Sequence, residues 1–143
     1  MAASFSKNID TTFTPQATDH LKEPALKYAG TDFPVIPAHL AVGEALRLIR
    51  TKGLGERIIY FYAVDSEEKL VGIVPTRRLL TSMPNIRISE IMVEDVITVP
   101  HTATVLEACE MFIKHKFLAF PIVDENGRMQ AVIDVTFFTE ETV

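Results

Sequence analysis

An α+β fold is what these 143 residues predict: two repeats of strand, helix, strand, strand and helix, packed sheet to sheet about a pseudo-twofold axis. Three observations lead there. The chain repeats itself at a nearly constant offset, one stretch carries an apolar stripe of helical period, and the turn Asp124-Glu125-Asn126-Gly127 stands between two apolar runs of strand length.

Sliding the chain along itself aligns Val35-Ile36-Pro37 and Val42-Gly43-Glu44-Ala45-Leu46 with Thr98-Val99-Pro100 and Val105-Leu106-Glu107-Ala108-Cys109, at an offset of 63. Val64-Asp65 and Leu70 to Val74 then align with Val123-Asp124 and Met129 to Ile133 at an offset of 59. Additional residues in the first copy, around Lys52-Gly53-Leu54-Gly55-Glu56, absorb the difference. A period of this kind marks a duplicated supersecondary unit. A unit of about 50 residues buries too little apolar surface to be comfortable alone, so the two copies are expected to share an interface.

The elements follow in order. Residues 1–22 are polar, rich in Thr and Ser and without period, and read as a flexible N-terminal arm. Pro24 and Gly30 bracket a short helix over about 24–29, because proline suits a first helical turn and glycine a helix end. The first repeat with this helix spans 23–82, the linker 83–87 and the second repeat 88–143. In the second repeat Val105, Ala108, Cys109 and Phe112 fall at i, i+3, i+4 and i+7, one face of a helix. Asn126-Gly127 supplies the positive φ of a hairpin tip, and Asp65-Ser66-Glu67-Glu68-Lys69 occupies the matching place in the first repeat. A last helix is expected from about Phe137.

Composition narrows the function. Apolar residues make up 48% and charged residues 23%, the balance of a globular protein, and the net charge is −5. With no basic cluster longer than Arg77-Arg78, nucleic acid is not an expected partner. The longest apolar runs are far short of the roughly 20 residues that span a bilayer, so no direct membrane insertion is expected. The N-terminus lacks the pattern of a secretory signal and there is a single cysteine, which together make the cytoplasm the expected compartment.

The doubled element order, Ser89-Glu90-Ile91-Met92 at the entry to the second copy, Val96-Ile97-Thr98-Val99, and Phe120-Pro121-Ile122-Val123-Asp124 make residues 33–139 resemble the tandem cystathionine-β-synthase (CBS) domain pair, or Bateman module. Among such pairs the chain is most similar to the cytosolic pair of MgtE-type magnesium transporters. The resemblance implies a non-catalytic regulatory module that senses an adenine nucleotide (AMP, ADP or ATP), with Mg²⁺ as a further ligand, forms a homodimer, and controls a partner protein or domain. Two alternatives stand beside it: a dimerisation module that has lost nucleotide binding, and a cytosolic fragment of a magnesium transporter.

The nucleotide positions that the resemblance implies are Val35, Ile36, Pro37, Phe61, Ala63, Thr76, Arg77 and Arg78 in the first copy, and Ile97, Thr98, Phe120, Pro121 and Asp134 in the second. The family's ligand motif runs Gly, two apolar residues, Ser or Thr, two variable residues, then Asp. The first copy reads Gly72-Ile73-Val74-Pro75-Thr76-Arg77-Arg78, with proline at the hydroxyl position and arginine at the Asp position. The second puts Asp134 and Phe137 at those places. Loss of the ribose carboxylate forfeits charge-assisted hydrogen bonds worth about 1.5–3 kcal/mol.

Read from the residues alone, Pro75 starts a helix in its first turn. Thr76 and two guanidinium groups beside that helix start favour an anion, and the alternative for Arg77-Arg78 is a solvated pair or a salt bridge to Glu67 or Glu68. Asp134 reads as a helix cap. Cys109 and His115 fall on different sides of one helix and form no nucleophile–base pair, so no catalytic residue is expected. His20, His39, His101 and His115 show no metal-ligand spacing, and no metal ligand is assigned. The carboxylates at Asp65 to Glu68, Glu94-Asp95, Asp124-Glu125 and Glu140-Glu141 read as hydrophilic turns and ends, whereas the transporter resemblance implies acidic surfaces of neighbouring domains bridged by hydrated Mg²⁺. Met111, Phe117, Phe137 and Phe138 are the apolar residues expected at a dimer contact.

Overall fold

A computed structural model describes residues 20–53 and 60–134. The first repeat contains β1 (Val35–Pro37), α1 (Val42–Lys52), β2 (Tyr60–Val64), β3 (Leu70–Pro75) and α2 (Thr76–Thr81). The second follows α3 (Ile88–Ile91) with β4 (Val99–Pro100), α4 (Val105–His115), β5 (Ala119–Val123) and β6 (Met129–Asp134). The expected N-terminal arm up to residue 19, the last helix with Phe137 and Phe138, and most of the extra residues of the first copy lie outside the described residues.

Each repeat folds one three-stranded sheet, ordered β1-β2-β3 and β4-β5-β6. The first two strands of each sheet are parallel and are bridged by a helix, whereas the last two are an antiparallel hairpin. A parallel pair needs a crossover and an antiparallel pair only a turn, so α1 and α4 occupy the one connection long enough to hold a helix. α4 carries a full capping box: the Glu107 N–H donates to Thr104 Oγ1 at 3.2 Å and the Thr104 N–H donates to Glu107 Oε1 at 2.8 Å. Alanine at the equivalent position leaves α1 with half of it, the Ala41 N–H donating to Glu44 Oε1 at 2.9 Å. The expected stripe is present on α4, where Val105 and Ala108 are buried and Phe112 meets Phe120 edge-on with ring centroids 4.7 Å apart.

The two hairpin tips are built alike. Asp65 accepts the N–H groups of Glu67 and Lys69, and Asp124 accepts those of Asn126 and Arg128, all at 2.8–3.0 Å. Gly127 supplies the expected positive φ (84°), and in the first tip Glu68 adopts φ 67° in its place. The tips also touch each other: the Leu70 N–H donates to the Gly127 carbonyl and Arg128 Nε donates to the Glu67 carbonyl, both at 3.0 Å.

The repeats are knitted together at their first elements. The stretch that the sequence places ahead of the first repeat packs on the second. It is a single 3-10 turn, Ala25–Tyr28, shorter than the helix expected, since so few residues between Pro24 and Gly30 cannot sustain cooperative α-helix. Ala25 is fully buried in the core of the second repeat, with its N–H on the Ala103 carbonyl, while Glu23 accepts from Val105 and Gly30 pairs both ways with Val132, each bond at 2.8 Å. The same bonds recur with the repeats exchanged. Ile88 of α3 is buried in the first core with its N–H on the Leu40 carbonyl (2.8 Å), Ile86 accepts from Val42 (2.7 Å), and Val93 pairs both ways with Ile73 (2.8 and 3.0 Å). The repeat therefore begins some ten residues earlier than the strands suggest, and each copy donates its first element to the other.

Candidate functional site

Successive side chains of a strand point to opposite faces, so pairing decides which residues reach the surface between the two sheets. On β1 and β2, Ile36, Phe61 and Ala63 belong to the core of the first repeat. On β5, Phe120 belongs to the core of the second. These four, expected from the sequence at a ligand, spend their side chains inside the repeats. The opposite face carries Val35 paired with Tyr62 and Pro37 paired with Val64 in the first sheet, and Pro121 paired with Val132 and Asp134 paired with Ala119 in the second.

Tyr62 is the residue that sequence reasoning missed. It is almost fully buried, lies edge-on to Phe33 at 6.0 Å, and belongs to neither core. Burial pushes its phenol well above the usual range, and Tyr60 and the Asp134 carboxylate push it further. That coupling places Asp134 of the second repeat within electrostatic reach of Tyr62 of the first. Ile97 packs on the second core, and Thr98 precedes β4, half-buried.

The junction of β3 and α2 sits at the end of the first sheet, where Pro75 pairs with Tyr60. Pro75 is the residue before the helix and Thr76 the first within it. Its φ of −62° and ψ of 141° are extended, which corrects the expectation of proline in the first turn. A proline N lacks a donor, so closing a strand costs it no ladder bond. The two arginines part here. Both are exposed, but Arg78 Nη1 donates to the Ile91 carbonyl at 2.8 Å and ties α2 to the end of α3. Neither meets Glu67 or Glu68 in an ion pair; Glu67 pairs with Lys69 at 3.3 Å.

The remaining candidates are quieter. The turn hydrogen bonds hold the Asp65 and Asp124 carboxylates below the usual range, chiefly through the N–H groups of Lys69 and Arg128. Among the described residues no three His, Cys, Asp or Glu side chains come together as a metal site. Cys109 is half-buried, and burial followed by the Glu110 charge pushes its thiol up, away from nucleophilic character. A groove of about 430 Å³ runs between Pro100–Ala103 and the Met111–His115 end of α4, away from the β3–α2 junction. No helix among the described residues is long and apolar enough to cross a membrane.

Comparison with known proteins agrees with this architecture. The family model described as the CBS domain matches twice, over residues 27–85 and 88–136. The magnesium transporter MgtE of Thermus thermophilus is 30% identical over 105 residues, covering 73% of this chain and 23% of that protein. Inosine-5'-monophosphate dehydrogenase of Nitrosopumilus maritimus is 30% identical over 131 residues, covering 92% of this chain and 27% of that protein. The chain thus spans about a quarter of the length of these relatives. Among solved structures, the cytosolic domain of the Mg²⁺ channel MgtE in complex with ATP superposes with a TM-score of 0.71 at 23% identity, over 98% of this chain and 60% of that one.

Proposed function

Given that the chain belongs to the CBS domain family and carries two copies of the domain, we propose that it is a non-catalytic regulatory module that binds an adenine nucleotide between its repeats and passes the occupancy to a partner protein or domain. The observation that carries this reading is the inter-repeat face itself. The sheet faces turned away from the two cores carry Val35, Pro37 and Tyr62 in the first repeat and Pro121 in the second, and β3 closes at Pro75 with Thr76 and the exposed Arg77 next in the chain. Apolar faces for a base, with a hydroxyl and a cation for phosphate, suit the chemistry a nucleotide requires. The superposition on an MgtE domain solved with ATP supports the same reading.

Arg78 stands where the family's ribose carboxylate would be, so the phosphates carry more of the affinity than the sugar. Because Arg78 already donates to Ile91, Arg77 is the principal phosphate contact. Calorimetry with adenosine, AMP and ATP at low and high salt tests this. Phosphorylated nucleotides should bind about tenfold tighter than adenosine, an advantage that shrinks with salt and falls more on Arg77→Ala than on Arg78→Ala. Equal affinities for adenosine and ATP would remove phosphate recognition, and no binding of any nucleotide would leave the second reading.

That second reading is a homodimerising interaction module. It is favoured by apolar side chains left on the surface, among them Leu80, Met83 and Ile113. Homodimer formation is compatible with both readings.

A further inference from the structure

We infer that the two sides of the inter-repeat surface are unlike, and that a nucleotide is accepted only on the side of Pro121 and the β3–α2 junction, because Tyr62 fills the other side and Asp134 repels phosphate from it. The inference rests on the nucleotide reading above and sets its stoichiometry at one per chain. The bonds that cross between the repeats recur with the repeats exchanged, so each inter-repeat neighbourhood has a counterpart. Ala25 on Ala103 answers Ile88 on Leu40, and Gly30 with Val132 answers Val93 with Ile73.

On one side Tyr62 of the first repeat approaches the end of β6 in the second. Its N–H donates to the Pro34 carbonyl at 3.0 Å and its ring meets Phe33 edge-on. The chain that brings Phe33 and Pro34 there pairs at Gly30 with Val132, which shares a face of β6 with Asp134. The phenol accordingly feels the Asp134 carboxylate, after burial and Tyr60. Exchanging the repeats turns Tyr62 into Pro121 and Asp134 into Pro75 at the offset of 59, which makes Pro121 and the β3–α2 junction the counterpart on the other side.

The two sides differ in bulk. The aromatic pair Phe33–Tyr62 stands where the exchanged positions are Val96 and Pro121. Tyr62 is 2% exposed yet belongs to neither core, so its ring occupies space between the repeats, and close-packed space is not shared with a ligand. Pro121 is buried too, but a pyrrolidine stops well short of a phenol's reach. They differ in sign as well. Pro75-Thr76-Arg77-Arg78 brings a hydroxyl and two guanidinium groups, whereas the aligned Asp134-Val135-Thr136-Phe137 brings a carboxylate and no cation. Phosphate oxygens need donors and positive charge, and a partly buried carboxylate is poorly screened by salt.

Calorimetry of the full chain, read for the number of sites, tests the proposal. The parent should bind one ATP per chain, and Arg77→Glu, at an exposed position, should weaken it about a hundredfold with no second site left behind. Tyr62→Val should admit a second adenosine but not a second ATP, and adding Asp134→Thr should admit the second ATP. Two ATP per parent chain, or half of the sites surviving Arg77→Glu, keeps the nucleotide reading and overturns the inference; these two measurements decide it even where Tyr62→Val melts early. A folded Tyr62→Val that still takes one adenosine overturns the filling by Tyr62, and one that takes two ATP overturns the repulsion by Asp134. A parent that binds no nucleotide overturns the nucleotide reading and this inference together.

Discussion

Gly72 lies directly beneath Met92: a methyl group placed on its Cα would come within 2.5 Å of the thioether sulfur and 2.9 Å of the Met92 Cβ. The segment after α3 can therefore lie flat on β3, with Val93 paired to Ile73. Gly72→Ala should cost about 1–3 kcal/mol, the usual effect of overpacking, because the Met92 Cβ cannot swing away as a side-chain tip would. Urea denaturation of Gly72→Ala, and of the same change combined with Met92→Ala, checks it; the double variant should lose less than the two single losses added together.

The two hairpin tips predict a stabilising substitution. Glu68 holds a left-handed φ of 67° where its counterpart is Gly127. Left-handed backbone costs a residue with a Cβ about 1–2 kcal/mol, so Glu68→Gly should stabilise the protein by about 1 kcal/mol and Gly127→Ala should destabilise it by a similar amount. Thermal melts of the pair of variants, shifted in opposite directions, would bear this out.

Acid should weaken the fold through the same tips. The folded-state pKa values of Asp65 and Asp124 lie below the ordinary value, so their contribution is complete above the unfolded carboxylate pKa of about 3.9 and is lost as pH falls through the folded values. Urea midpoints measured downward from neutral pH should drop in that window. In Asp65→Asn and Asp124→Asn the midpoint should start lower and vary less with acid.

Exchange of first elements should make unfolding a single event. Ile88 is fully buried in the first repeat but is carried by the chain entering the second. Ile88→Ala should cost about 2–5 kcal/mol. The parent should lose circular dichroism and tyrosine fluorescence in one coincident urea transition; two resolved transitions would show the repeats to be independent.

Much of the fold was legible because duplication writes each signal twice. The α4 stripe and the Asn126-Gly127 tip rest on local periods and turn chemistry, which a sequence displays directly. The exchange was not legible. Ala25 and Ile88 are apolar residues in short turns, and nothing local to either says that its cavity belongs to the other repeat. The faces of the candidate strands were hidden for a similar reason. Tyr60 to Val64 is apolar throughout, so no alternation separates Phe61 and Ala63, which face the core, from Tyr62, which does not; only pairing with β1 and β3 does. Arg78 looked available because the Ile91 carbonyl that holds it lies 13 residues away.

The crossing of Ala25 and Ile88 also bears on how such a chain could arise. A single ancestral unit would present an empty slot where Ala25 or Ile88 now sits and a short turn with nowhere of its own to dock. Two separate copies could satisfy each other only by trading those turns, which is a domain-swapped dimer. In the tandem chain the same trade is made within one polypeptide, so cutting it between the repeats would return two fragments that must find each other again to fold.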